Sequence, residues 1–137
     1  MKVRILAALV FVSLAVMSCK NSTAHTHEGE SEEIELNSGE KWQVNTEMTP
    51  FILEGEQILG GHADGDYKVL AAQLKDKNSG LIKSCTMDGK SHDELHKWLH
   101  PHLELVEALN EAQTPEAADL IIANLKKSFE TYHTYFQ

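Results

Sequence analysis

The run Ser91-His92-Asp93-Glu94-Leu95-His96-Lys97-Trp98-Leu99-His100-Pro101-His102-Leu103-Glu104-Leu105-Val106-Glu107-Ala108-Leu109 carries the clearest structural pattern in the chain. Leu95, Trp98, Leu99, His102, Val106 and Leu109 recur at steps of three and four, which puts them on one stripe of an α-helix. Ser91-His92-Asp93-Glu94 has the form of a capping box, a hydroxyl followed three residues later by a carboxylate, so the helix is expected to open there. Pro101 is expected to bend it. One amphipathic helix cannot bury its own stripe, so partners must come from the flanking sequence.

Three further helical patterns supply them. Downstream, Thr114 followed by Pro115 reads as an N-cap and first turn. Leu120, Ile121, Ile122, Leu125, Phe129, Tyr132 and Phe136 carry that helix to the end of the sequence. Upstream, Asp64 or Asp66 opens a pattern through Tyr67, Leu70, Leu74, Leu81, Ile82 and Cys85, weakened locally by Gly80. Before that, Asn37 or Ser38 reads as the cap of a helix running through Trp42, Met48, Ile52 and Leu59 to Gly60-Gly61, with Pro50 as a kink. No stretch shows strand alternation. Four helices joined by short connections predict an all-α, antiparallel up-down four-helix bundle over residues 37–137. In such a bundle Trp42, Cys85, Met87, His92, His96, Tyr132 and His133 share one end, while His62 and the Thr114-Pro115 turn mark the other.

The chemistry-bearing residues concentrate at the first of those ends. Cys85-Thr86-Met87 precedes the third helix, and His92 and His96 follow at i and i+4 on one of its faces. Thiolate and thioether are soft ligands that favour Cu(I), and imidazole is compatible with it, so the set points to copper before zinc. A structural zinc site would want more cysteine at a different spacing. His133 is the leading further ligand. His102 lies in the apolar stripe and reads as a hydrogen-bonded core histidine, and His100 as a solvent-facing one. An alternative reading of the same bundle is a b-type haem site with Met48 and His133 as axial ligands; no Cys-x-x-Cys-His attachment motif is present for covalent haem.

The N-terminus sets the compartment. Met1-Lys2-Val3-Arg4 is positively charged, Ile5 to Val16 is apolar apart from Ser13, and Val16-Met17-Ser18-Cys19 follows. The apolar run is shorter than the ~20 residues that a spanning helix needs, so residues 1–18 read as a cleaved signal peptide. Val16-Met17-Ser18-Cys19 resembles the lipobox of bacterial lipoproteins, which implies acylation of Cys19 and attachment to a bilayer. Residues 19–36 are polar, with Glu28, Glu30, Glu32, Glu33 and Glu35 close together and His25 and His27 among them, and read as a disordered acidic tether. With Cys19 lipidated, Cys85 has no disulfide partner, because the chain has two cysteines. An exported free thiol fits metal binding.

From Cys85-Thr86-Met87-Asp88-Gly89-Lys90-Ser91-His92 through Leu95-His96-Lys97-Trp98-Leu99 the chain resembles small bacterial envelope lipoproteins. It is also distantly similar to copper-associated periplasmic helical domains that carry a Cys-x-Met element. That likeness implies a copper role for Cys85 and Met87. Composition agrees with an envelope protein that does not bind nucleic acid: 12 basic against 21 acidic side chains give a formal charge of -9, the wrong sign for a phosphate backbone. Removal of residues 1–18 takes Lys2 and Arg4 and makes the chain more acidic. No Ser-His-Asp set, carboxylate pair or Gly-rich phosphate loop marks an enzyme. The expected function is an anchored copper-binding protein, lodged in a bacterial membrane and leaning to the outer one. A bundle that docks another envelope protein without metal is the competing reading.

Overall fold

The computed structural model describes residues 33–63 and 65–137. The expected signal peptide, Cys19, His25 and His27 of the expected tether, and Asp64 lie outside the described residues. The rest forms four helices, α1 (Thr49–Gly61), α2 (Tyr67–Ser84), α3 (Gly89–Glu111) and α4 (Pro115–Tyr135). Each packs on its sequence neighbour, and α1 also meets α4, closing the ring of an antiparallel bundle. Among the described residues there is no named strand and no helix long and apolar enough to cross a membrane.

The stripe of α3 is buried as its spacing requires: Leu95, Trp98, Leu99, His102, Val106 and Leu109 all face the core. Across from it stand Leu70, Leu74 and Leu81 of α2 and Ile122, Leu125 and Phe129 of α4. Leu109 and Leu125 are wholly shielded from solvent, and burying a leucine stabilises a fold by roughly 1.5–3 kcal/mol. Two apolar residues of the sequence pattern point outward instead, Ile82 at 49 % exposure and Leu120 at 65 %. Thr114 caps α4 as expected, its Oγ1 accepting from the Ala117 amide at 3.2 Å. Lys68, at the start of α2, donates to the Asn110 carbonyl and, at 2.9 Å, to that of Ala112, satisfying acceptors at the C-terminal end of α3.

Two helix starts differ from expectation, those of α1 and α3. α1 begins at Thr49, with Pro50 in its first turn rather than at a kink. Proline lacks an amide hydrogen and crowds the preceding turn, so it is accommodated where a helix opens. Asn37 and Ser38, read as a cap, belong to a tight turn. Ser38 and Gly39 both have positive φ, 55° and 92°, and Asn37 and Glu40 exchange backbone hydrogen bonds of 2.8 and 3.0 Å. That is the geometry of a two-residue reversal, not of a helix entry. The chain then runs extended beside the C-terminus. Trp42 accepts from Gln137 and donates to Tyr135, and Val44 donates to Gln137. Trp42 and Val44 turn inward while Gln43 is exposed, the two-residue period of extended chain.

The capping box at Ser91 does not form. α3 opens two residues earlier, at Gly89; Ser91 Oγ donates to the Asp88 carbonyl at 3.1 Å. Glu94 is instead buried at 3 % exposure. Its carboxylate accepts from the Glu35 amide at 2.8 Å and from Lys97 at 2.9 Å. Lys97 also donates to the Glu33 carbonyl, and Trp42 Nε1 to that of Glu35. Burial would raise the Glu94 pKa, but the Glu35 amide, the hydrogen bond and charge of Lys97, and the charge of Lys90 outweigh it and hold the carboxyl below its ordinary range. Glu94 therefore pins the segment that enters the bundle. Its partners are distant in sequence, which is why the local motif misled.

Candidate metal centre

The sulfur-bearing connection between α2 and α3 is held from both sides of Cys85. α2 ends at Ser84, whose Oγ donates to the Leu81 carbonyl, and the Cys85 amide closes on Ile82 at 3.3 Å. Asn45, from the extended segment before α1, then bridges the cysteine: Nδ2 donates to the Ser84 carbonyl at 2.9 Å and Oδ1 accepts from the Thr86 amide at 3.1 Å. Backbone atoms on either side of Cys85 are thus fixed by one side chain. Asn45 carried no sequence signal, because its partners lie some 40 positions away.

Along α3, His92, His96 and His100 form a ladder. His92 Nε2 and His96 Nε2 are 3.0 Å apart, and His96 Nδ1 and His100 Nε2 are also 3.0 Å apart. The rings meet edge to face, with centroids at 4.3 and 5.0 Å. His92 and His96 are half-buried and His100 is exposed. Desolvation, reinforced by the charges of His92 and His100 and opposed by Asp93, lowers the His96 pKa. A neutral imidazole at pH 7 is the form that ligates a metal.

The ladder and the cysteine border one cleft of about 300 Å³. It is lined by His92, His96, His100, Cys85 and Met48 together with the apolar side chains of Ile82, Leu95, Leu99 and Leu103. Cys85, half-buried, is a free thiol. The structure thus brings together three of the expected ligands, Cys85, His92 and His96, and adds His100 and Met48. His100 had the ladder's four-residue spacing but read as solvent-facing. Met48, 1 % exposed, lines the cleft from the residue before α1.

Other expected ligands stand elsewhere. Met87 is half-buried against the edge of the core and does not line the cleft. His133 Nε2 is 2.8 Å from Glu56 Oε1 on α1, and His133 is not part of the cleft wall. The Met48 and His133 pair considered for haem is therefore split, one in the cleft and one against Glu56. Tyr132, stacked on Phe136, has its phenol pushed up to about 12 by burial and by the Glu56 charge. His102 is a core residue as its place in the stripe implied: 1 % exposed, stacked on Trp98 at 4.8 Å, its Nδ1 2.9 Å from Ser128 Oγ. His62 Nδ1 faces the Leu59 carbonyl at the end of α1.

The arrangement can be tested against a metal ion. Two nitrogens each about 2.0–2.1 Å from one tetrahedral ion stand about 3.3 Å apart. The 3.0 Å between the Nε2 atoms of His92 and His96 is close to that spacing; to chelate, the rings would turn so that both lone pairs meet at one point. No three His, Cys, Asp or Glu side chains among the described residues form a closed metal-binding group. For Cys85 to serve as a third ligand, its side chain would have to move towards the pair. An α-helical bundle with a cleft lined by sulfur and imidazole is the class that fold and site define. No known protein family, curated protein or solved structure matches this chain.

Proposed function

We propose that the protein is a lipid-anchored cell-envelope protein that binds a soft transition metal ion, copper as Cu(I), and holds it for sequestration or handover. The observation that carries this reading is the 3.0 Å convergence of His92 and His96 Nε2 on a cleft that Cys85 also lines. Cys85 thiolate with the two imidazoles is the ligand set. Met48 in the cleft wall is a further soft donor, and Met87 lies two residues beyond Cys85. Sulfur and imidazole together favour Cu(I) over the hard cations that carboxylates select. The role is binding, with no chemical conversion of a substrate. Anchoring through acylated Cys19 places this chemistry at a bacterial membrane surface, with the outer membrane favoured.

The test is competition for Cu(I) against a chromogenic chelator, using the reduced full-length protein in detergent, with Cys85→Ser and His92→Ala alongside. The wild type should withdraw one equivalent of copper, and each variant should lose at least tenfold in affinity. Failure of the wild type to compete, or equal competition by all three, contradicts the reading. The anchor has its own check. Cys19→Ala should abolish incorporation of labelled palmitate and release the protein from membranes, whereas a variant that stays labelled and membrane-bound excludes the anchor.

A further inference from the structure

The ladder constrains protons as well as distances. His96 stands in its centre with both ring nitrogens engaged, Nε2 towards His92 and Nδ1 towards His100. A neutral imidazole offers one donor and one acceptor, so the two hydrogen bonds of a neutral His96 must run in the same sense along the helix. In one sense His96 Nδ1–H donates to His100 Nε2, and its Nε2 lone pair faces His92 and the cleft. In the other the proton sits on Nε2 and blocks it. Only the first leaves Nε2 available to an ion, and it needs an acceptor beside Nδ1.

We propose that His100 is that acceptor and acts as a positioning residue: it holds His96 in the Nδ1-protonated tautomer and so presents the Nε2 lone pair to the metal. The inference rests on the reading of the cleft as a metal site and explains how that site is prepared. Ligating histidines commonly donate their other ring N–H to a fixed partner, which sets ring orientation and raises ligand basicity. His100 is suited to this because the nitrogen that faces the ladder is the one His96 uses, which leaves it no lone pair there for an ion. Acceptance at Nε2 places the His100 proton on Nδ1. When an ion arrives, His92 moves its proton from Nε2 to Nδ1, so the imidazole pair needs no net proton loss to ligate.

The test uses the full-length protein with His100→Ala and His100→Gln. A glutamine amide oxygen accepts a hydrogen bond as Nε2 does but ligates Cu(I) poorly, and the position is exposed, so neither change disturbs the core. Long-range proton–nitrogen correlation spectra of the metal-free protein report the His96 tautomer directly. Nε2 should be unprotonated in the wild type and in His100→Gln, and protonated in a large fraction of His100→Ala. In Cu(I) competition His100→Ala should bind about 10- to 100-fold more weakly, and His100→Gln should recover to within about threefold of the wild type. Equal loss in both variants would make His100 a ligand and overturn the positioning role. Wild-type tautomer and affinity in His100→Ala would overturn it as well, while leaving the metal site standing. A wild type that shows the tautomer bias but takes up no Cu(I) would instead remove the metal reading beneath it.

Discussion

An imidazole enclosed by Trp98, Phe129 and Ser128 has no water to solvate a proton, and burial pushes the His102 pKa down to about 4. The unfolded chain binds that proton near the ordinary value of about 6.5. Stability from a neutral His102 is therefore complete above about pH 6.5 and is lost as pH falls towards 4, because the unfolded state takes up the proton first. Between pH 7 and pH 5 the loss from this residue should be about 2 kcal/mol. Urea unfolding of the wild type and of His102→Phe at the two pH values measures it. The variant should show a much flatter dependence, and identical slopes would assign the effect to other groups. Residues of this kind were legible in the sequence, since His102 shares the apolar stripe of α3. His92 and His96 were legible as an i, i+4 pair. His100 was visible only as spacing, because nothing in the sequence reveals that its Nε2 meets His96 Nδ1.

At the scale of the elements, periodicity identified four helices and their buried faces, but helix ends depended on contacts that sequence does not display. Pro50 moved from an expected kink to the first turn of α1, and Glu94 from an expected cap to a buried anchor for the incoming chain. Gly80 is another such case. It weakened the helical pattern of α2, yet the reason for glycine is that the Phe51 ring of α1 lies against it, where a Cβ would overlap the ring. Gly60, near the end of α1, has nothing within 4 Å of its Cβ position. Alanine favours a helix over glycine by about 1 kcal/mol, whereas overpacking a fitted contact costs about 1–3 kcal/mol. Gly60→Ala should therefore stabilise the protein by up to ~1 kcal/mol. Gly80→Ala should destabilise it by up to about 2 kcal/mol, the overlap exceeding the propensity gain. Thermal unfolding of the two variants checks the opposite signs, and a stabilising Gly80→Ala would mean that Phe51 yields at no cost.

For the molecule as a whole, the fold brings three separate segments to one cleft: the chain before α1 with Met48, the end of α2 with Cys85, and the first half of α3 with the histidines. The α2–α3 part was readable because those residues are near in sequence. Met48 and the bridging Asn45 were not, since closure of the bundle brings them there. His133 shows the opposite case: the bundle topology predicted it at the sulfur end, and the packing of α4 on α1 set it against Glu56 instead. The proposed metal site would exist only in the folded protein and would combine soft and imidazole donors around one ion. X-ray absorption at the copper edge of the Cu(I)-loaded, full-length protein tests that most directly. A mixed shell is expected, with sulfur at about 2.3 Å and imidazole nitrogen at about 2.0 Å, and loss of the sulfur component on Cys85→Ser. A shell of nitrogen and oxygen alone in the wild type, or of sulfur without imidazole, would contradict it.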